Sequence, residues 1–468
     1  MEQFYKELIS YWFYPKLVMT WVVLLAFTTS YVEAKSIDAN ISIDKLSQNL
    51  AEVFNQYKTY QIEQIETNTV SEFSFAALPI SGGATSFVKT VATGSGTGSD
   101  WDNAYGATDL ETALVAGGTV YIAAGVYLPG SEIVLSNDFC AIGGFDANST
   151  GSDLCDYDPV NNVTEINGAG SHRLFTINGS VRNLEFRGLT LKDGSSFSAG
   201  VAIQSSSFVS DPINFKFIDL VLSFNESLIG DGVINIEEKS NLNNEILFQN
   251  CVFLENVPGQ GSIFIKEVFN TSNGNDPNYG RLIIEDCSFN TNIADRFGGA
   301  GAGIYMDDSF QWTIRNNSFC NNSAEGSFGG AIEFRGSETI EVLNCDFDNN
   351  TASNDAGAIA VSLSSKILID GCDFVGNNSQ DDAGAILVRT NSGVEIYNSN
   401  FYDNFSVDGG AIFFNSTFEG TGVANIVDNC VFVGNESTST TSTSGENGGA
   451  IKLADGATTN ISLSLIHI

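Results

Sequence analysis

The sequence predicts an all-β protein, a right-handed parallel β-helix solenoid with a short N-terminal capping helix. Three observations predict it. An anchor Phe or Leu recurs at Leu191, Leu222, Phe253, Phe289, Phe319, Phe347, Phe374, Phe401 and Phe432, at intervals of 27 to 36 residues. Around each anchor the apolar residues alternate with a period of two, as in short strands with one buried face. Asn and Gly stand at fixed offsets from the anchors, where turns are needed. A unit of this length cannot bury its own inner face, so copies must stack to make a continuous core.

The chain begins with a segment of different character. Lys6 and Lys16 precede an eleven-residue apolar run, Leu17 to Phe27, and Val32-Glu33-Ala34 offers a small-residue cleavage site. Residues 1–34 are therefore expected to be a secretory signal peptide, the run being short for a membrane span; an uncleaved anchor is the alternative. Residues 35–86 read as a spacer, with Leu46, Leu50, Val53, Phe54 and Tyr57 at helical spacing. Residues 87–180 read as the N-terminal cap and first coils. A Gly/Ser-rich turn precedes Trp101, a short helix is expected near Leu110 to Val115, and VYIAAGVY, EIVL and FCAIGGF follow as strands. A helix here covers the open end of the first coil, whose strand edges would otherwise stay unpaired.

Residues 181–462 hold the repeats. Five residues before every anchor the side chain is apolar, from Phe186 to Val427. Three residues after it stands Asn256, Asn292, Asn322, Asn350, Asn377, Asn404 or Asn435, with Asn225 in an earlier copy and Gly194 in the first. Asn tolerates left-handed backbone at a turn, and stacked amides can bond as a ladder. A second block, AIEF at 331–334, AIAV at 358–361, AILV at 385–388, AIFF at 411–414 and AIKL at 450–453, follows a Gly turn. Each copy is expected to contain about three short strands and three turns. At a coil spacing of about 4.8 Å the nine copies make a rod of roughly 43 Å.

Cys251, Cys287, Cys345, Cys372 and Cys430 share the position two before the anchor, with Asn317 and Ser399 in two other coils. Alternation points them inward as small buried fillers. Parallel Cβ atoms at the coil spacing are wider apart than a relaxed disulfide requires, and no Cys/His spacing suggests a metal. Cys140 and Cys155 lie outside the repeat and are a candidate disulfide in an oxidising compartment. The last six residues, 463–468, resemble the translation of a sequencing adapter; they are read as foreign to the protein, with a genuine short strand as the alternative.

F-x-x-N alternating with G-G-A-I resembles the repeat of the chlamydial polymorphic outer membrane proteins, which also occurs in secreted proteins of other bacteria. GGAI stands at 329–332, 409–412 and 448–451, and AGAI at 356–359 and 383–386. The segment 87–145 looks like the opening cap of secreted bacterial β-helices of the pectin-lyase-like group. The resemblance implies a β-helix in the cell envelope, at the outer-membrane surface or secreted. Such proteins usually carry a C-terminal barrel or sorting domain, so attachment to the outer membrane would run through a segment not visible in this sequence.

Composition narrows the partners. Asp and Glu number 56 against 20 Lys and Arg, a net charge of −36, which repels nucleic acid and anionic membranes. Adhesion or display is expected, toward a host or environmental surface, protein or glycan. A plain envelope component is not distinguished from it. On the strand after each Gly turn the outward positions include Phe264, Tyr305, Leu387 and Phe413, a candidate apolar contact face; the long loops 266–280 and 436–447 are the elements that could cover it. The alternative is a calcium-assisted polysaccharide lyase or glycoside hydrolase. Its candidates are Arg335 and Arg389, at equivalent positions two coils apart, and Asp381 and Asp382, which with Asp355 and Asp408 precede Gly turns and could gather on one edge. His172, the only other His being His467 in the tail, lies far from them in sequence. No cofactor is expected, calcium being the one ion the lyase alternative admits. Fourteen N-x-S/T sequons follow from the Asn-rich turns.

Overall fold

The computed structural model describes residues 83–196, 202–207, 213–227, 232–238, 245–259, 261–267, 281–294, 303–307, 311–326, 328–335, 339–362, 366–389, 392–415, 425–438, 448–454, 459–462 and 464–467. The chain divides into two units, 1–77 and 78–468. The expected signal segment, the spacer up to residue 82 and most of the loops 266–280 and 436–447 lie outside the described residues.

The second unit is an all-β, right-handed parallel β-helix. Every strand pairing named between its coils is parallel, and the strands fall into stacked sheets of 13, 12, 11 and 6 members and one two-stranded pair, Ser195–Ser196 with Glu226–Ser227. We number the sheets in the order the chain visits them. The coil around Phe374 shows the plan: Lys366–Asp370 in sheet 1, Asp373–Val375 in sheet 2, Asn378–Ser379 in sheet 3 and Ile386–Arg389 in sheet 4. Sheet 3 corrects the expectation of three strands per coil. Its strands are two residues long, too short for any periodicity to announce them.

Register is the same from coil to coil. Phe374 lies opposite Phe347 and Phe401, Ile369 opposite Val342 and Ile396, and Ile386 opposite Ile359 and Ile412. Identical positions therefore stack. From Phe253 to Phe432 the anchor rings lie face to face at centroid separations of 4.6–4.9 Å with interplanar angles of 1–6°. Each is fully buried, a contribution of about 1.5–3 kcal/mol per side chain.

The corners on either side of sheet 2 each use one residue with left-handed backbone. Three residues before the anchor these are Asp219, Asn250, Asp286, Asn316, Asn344, Gly371, Asn398 and Asn429; two residues after it they include Glu255, Thr291, Asn321, Asn349, Gly376, Asp403 and Gly434. The asparagine three after the anchor is therefore not the left-handed residue. That expectation is corrected: the conformational burden falls on its neighbour, and the Asn side chain points inward.

There it forms a ladder. Asn377 Oδ1 accepts from the backbone N–H of Asn350 (3.1 Å) and from its Nδ2 (3.0 Å), while Asn377 Nδ2 donates to Phe347 O and Asn404 Oδ1 (2.8 and 3.0 Å). The pattern runs from Asn225 to Asn435, and Gly194 joins it through its N–H alone. The Cys column is a second ladder rather than inert filling. Cys372 Sγ accepts from Cys345 N and donates to Val342 O, and Cys372 N donates to Ser399 Oγ. Burial raises the pKa of the Cys287, Cys372 and Cys430 thiols, that of Cys430 to about 11.

At the N-terminal end the expected helix is present as α1, Leu110–Val115. Leu110, Ala113 and Leu114 join the same core as Val88, Val120 and Leu135. α1 packs on Thr85–Val88, Gly118–Ala123 and Ile133–Leu135 and so closes the apolar interior at the first coil. Cys140 and Cys155 are not bonded to each other: Cys140 is buried in the Phe139–Phe145 strand, whereas Cys155 is exposed in the following loop. At the other end Leu465–His467 pairs with Val431–Val433 as the last strand of sheet 2. Among the described residues no helix is long and apolar enough to cross a membrane.

Candidate functional site

Three residues before the motif Ala of sheet 4 stand Phe328, Asp355, Asp382 and Asp408 on successive coils. Each begins the turn into a sheet 4 strand. The next residue, Gly329, Ala356, Ala383 or Gly409, has left-handed backbone. The one after it must be Gly. A Cβ on Gly384 would strike the carbonyl oxygen of Gly410, and one on Gly357 the oxygen of Gly384. This close approach locks the turns into a column. Ala356 N donates to Asp382 O and Ala383 N to Asp408 O (both 2.8 Å), and Ser379 Oγ adds a bond to Asp382 O.

The column gathers charge. Asp355, buried, accepts from the backbone N–H of Asp382 through Oδ1 (3.0 Å) and from Arg389 Nη2 through Oδ2. Arg389 Nη2 also stands 3.9 Å from Asp382 Oδ2, and its guanidinium lies over the Phe328 ring, 4.8 Å from the centroid. Asp355, Asp381 and Asp382 each place one carboxylate oxygen within 4.8 Å of the others. Asp408 pairs with Lys452 Nζ at 2.7 Å, and that ammonium lies 4.7 Å from the Phe413 ring centroid. Burial is the main cause of a raised pKa at Asp355, opposed by the Asp382 N–H and Arg389. Burial also pushes Asp382 up to about 7, reinforced by Asp355 and Asp381 and opposed by Arg389.

The structure thus brings together Asp355, Asp381, Asp382 and Arg389. Arg335 is elsewhere: its Nη1 donates to Tyr305 Oη at 3.1 Å and its Nε stands 4.0 Å from Glu333, with the coil of Ser362 separating it from Arg389. The two arginines do not converge. His172 precedes the second strand of sheet 4, whereas Asp382 precedes the ninth. Carboxylate oxygens this close are nearer than the about 5–5.5 Å or 6.5–9.5 Å at which paired carboxyl groups flank a glycosidic bond. Asp355 and Asp382 share the positive charge of Arg389.

The expected apolar contact face is corrected. Phe264, Tyr305, Leu387 and Phe413 are only 3%, 3%, 1% and 5% exposed. Leu387 and Phe413 pack with Ala360 beneath the turn residues Ala356 and Ala383, with Phe328 and Ala454 at the margin. Phe264 lies flat on Tyr305, at 5.1 Å and 7°. At Leu387 and Phe413 the entering turns fold over the outward row, which strand alternation alone does not reveal. Apolar side chains that stay half-exposed include Leu247, Ile283, Leu368 and Ile426 on sheet 1 and Val252, Leu254, Val375 and Val431 on sheet 2.

Comparison with known proteins agrees with this fold. The family model described as a right-handed beta helix region matches residues 302–466. No curated protein and no solved structure matches the chain.

Proposed function

We propose that this chain is a secreted or cell-surface β-helix that works by contact, in adhesion, display or the envelope, binding a protein partner or glycan along its side. The observation that supports it is the outer wall of sheet 1. Half-exposed Leu247, Ile283, Leu368 and Ile426 occupy one outward row, interrupted by Thr313, Glu341 and Glu395, and repeat in register. A rigid, mixed apolar and acidic strip suits extended partners that are neutral or basic, and the net charge of −36 turns polyanions away. The test is protease shaving and antibody labelling of intact source cells, with glycan- and protein-array binding of the secreted chain. Surface labelling, and array binding weakened by Leu368→Glu, are expected. A chain confined to the cytoplasm, or binding indifferent to Leu368→Glu, overturns the proposal.

The gathering of Asp355, Asp381 and Asp382 around Arg389 is the observation that favours the second reading, a polysaccharide lyase or hydrolase. Its test is cleavage of acidic polysaccharides with and without calcium. Cleavage lost in Arg389→Leu would place this reading first.

A further inference from the structure

We infer that Phe224, at the corner between sheets 2 and 3, anchors a docking face for a basic, arginine-bearing segment of a protein partner. The face lies on a different side of the coil from the strip of sheet 1. The corner column two residues after each anchor carries the argument. From Asp193 to Gly434 every residue of that column has left-handed backbone. Its other members are polar residues or Gly, and Phe224, at φ +54°, is its one aromatic ring. A bulky side chain enters this backbone region only against steric resistance, whereas Asn and Gly enter it readily. Burial does not offset the strain, because Phe224 is 46% exposed.

The surroundings of the ring name the partner's chemistry. Half-exposed Leu254 and Val257 stand on the next coil, Leu254 just before the corner and Val257 opposite Glu226. Carboxylates rim this apolar centre. Asp193 and Glu255 occupy the corners before and after Phe224, and Glu226 is exposed two residues on. Among the described residues Glu226 and Glu255 have no ion-pair partner. The ring already attracts a cation of its own chain: Lys192 Nζ lies 5.5 Å from its centroid and 4.0 Å from Asp193 Oδ2. An aromatic face draws a cation, and here the counter-charge stands at the neighbouring corners. A planar guanidinium stacks on a ring and pairs with carboxylate, and its apolar stem can lie along Leu254 and Val257. An exposed aromatic inside a charged rim has the anatomy of an interface hot spot. The three carboxylates against one ammonium leave the face acidic, as the net charge of −36 leaves the whole chain, and select a basic partner over an acidic one.

The experiment is a fluorescence-anisotropy titration of the full chain with a labelled peptide of alternating Arg and Gly, with thermal melting of every variant. Phe224→Asn removes the ring and installs the residue that the corners at Asn321 and Asn349 already use. Glu226→Gln removes a charge at the face. Glu436→Gln removes one at the same motif offset on a remote coil, where the corner residue is Gly434. The expected result is a peptide Kd raised at least about tenfold by Phe224→Asn, with a melting temperature equal to or above that of the native chain. Glu226→Gln is expected to raise Kd more than Glu436→Gln. Binding indifferent to Phe224→Asn, or weakened equally by the two Glu variants, assigns the attraction to net charge and overturns the inference. A lowered melting temperature in Phe224→Asn makes the ring a structural support and overturns it as well. So does a neutral glycan that binds where the peptide does not and is lost with the ring.

Discussion

Replacing Asn377 by Ala removes one rung of the amide ladder in the middle of the rod. Four hydrogen bonds of its side chain are lost: two accepted from Asn350, one donated to Phe347 O and one to Asn404 Oδ1. The Asn350 backbone N–H and one hydrogen of its Nδ2 are left without acceptors at a fully buried site. At about 1–3 kcal/mol for each orphaned buried donor, the loss sums to about 2–6 kcal/mol. That rivals deletion of a core aromatic, although no apolar contact is touched. The damage is local to the junction between two coils, and a solenoid's stability is a sum of repeat and junction terms. The assay is urea unfolding followed by circular dichroism, with hydrogen exchange resolved along the chain. We expect an earlier or split transition and loss of protection in the coils of Phe347 and Phe374. Asn349→Gly is the control. Asn349 is the exposed neighbour and already has left-handed backbone, so Gly fits there and the change should fall within about 0.5 kcal/mol. Equal melting of Asn377→Ala and Asn349→Gly would refute the ladder as a source of stability.

Phe374→Ala opens the ring stack between Phe347 and Phe401 and should destabilise by about 3–5 kcal/mol, read from the same urea curves. Gly384→Ala drives a methyl group against the Gly410 carbonyl oxygen and the Phe405 backbone, and a loss of at least about 1–3 kcal/mol is expected. Cys372→Ser keeps the bonds to Cys345 N and Val342 O and reproduces the Ser399 of the next coil, so its melting should stay within about 1 kcal/mol of the native chain. Cys372→Ala orphans the Cys345 N–H and should lose about 1–3 kcal/mol.

Much of this molecule is legible in its sequence because a solenoid writes each structural position many times. The anchor Phe, the apolar residue five before it and the Asn three after it recur until chance is excluded, and recurrence at one spacing means stacking at one place. Even the acidic edge could be located, since Asp355, Asp382 and Asp408 share a motif offset. Other features follow from how coils lie on one another. Sheet 3 has two-residue strands and hence no period to detect. The left-handed corner falls beside the ladder Asn because backbone geometry there is set by the stacked ladder bonds. Phe264, Tyr305, Leu387 and Phe413 obey the outward alternation yet are buried, because alternation tells which side of a strand a residue faces and not what folds over it. Arg335 and Arg389 occupy equivalent positions, but their partners, Tyr305 on one side and Asp355 with Phe328 on the other, come from other coils. The sequence by itself determined the repeat, its inward face and the parallel coil. Only the tertiary structure decided which outward residues meet solvent and which charges meet each other, because those depend on contacts between coils that no single repeat contains.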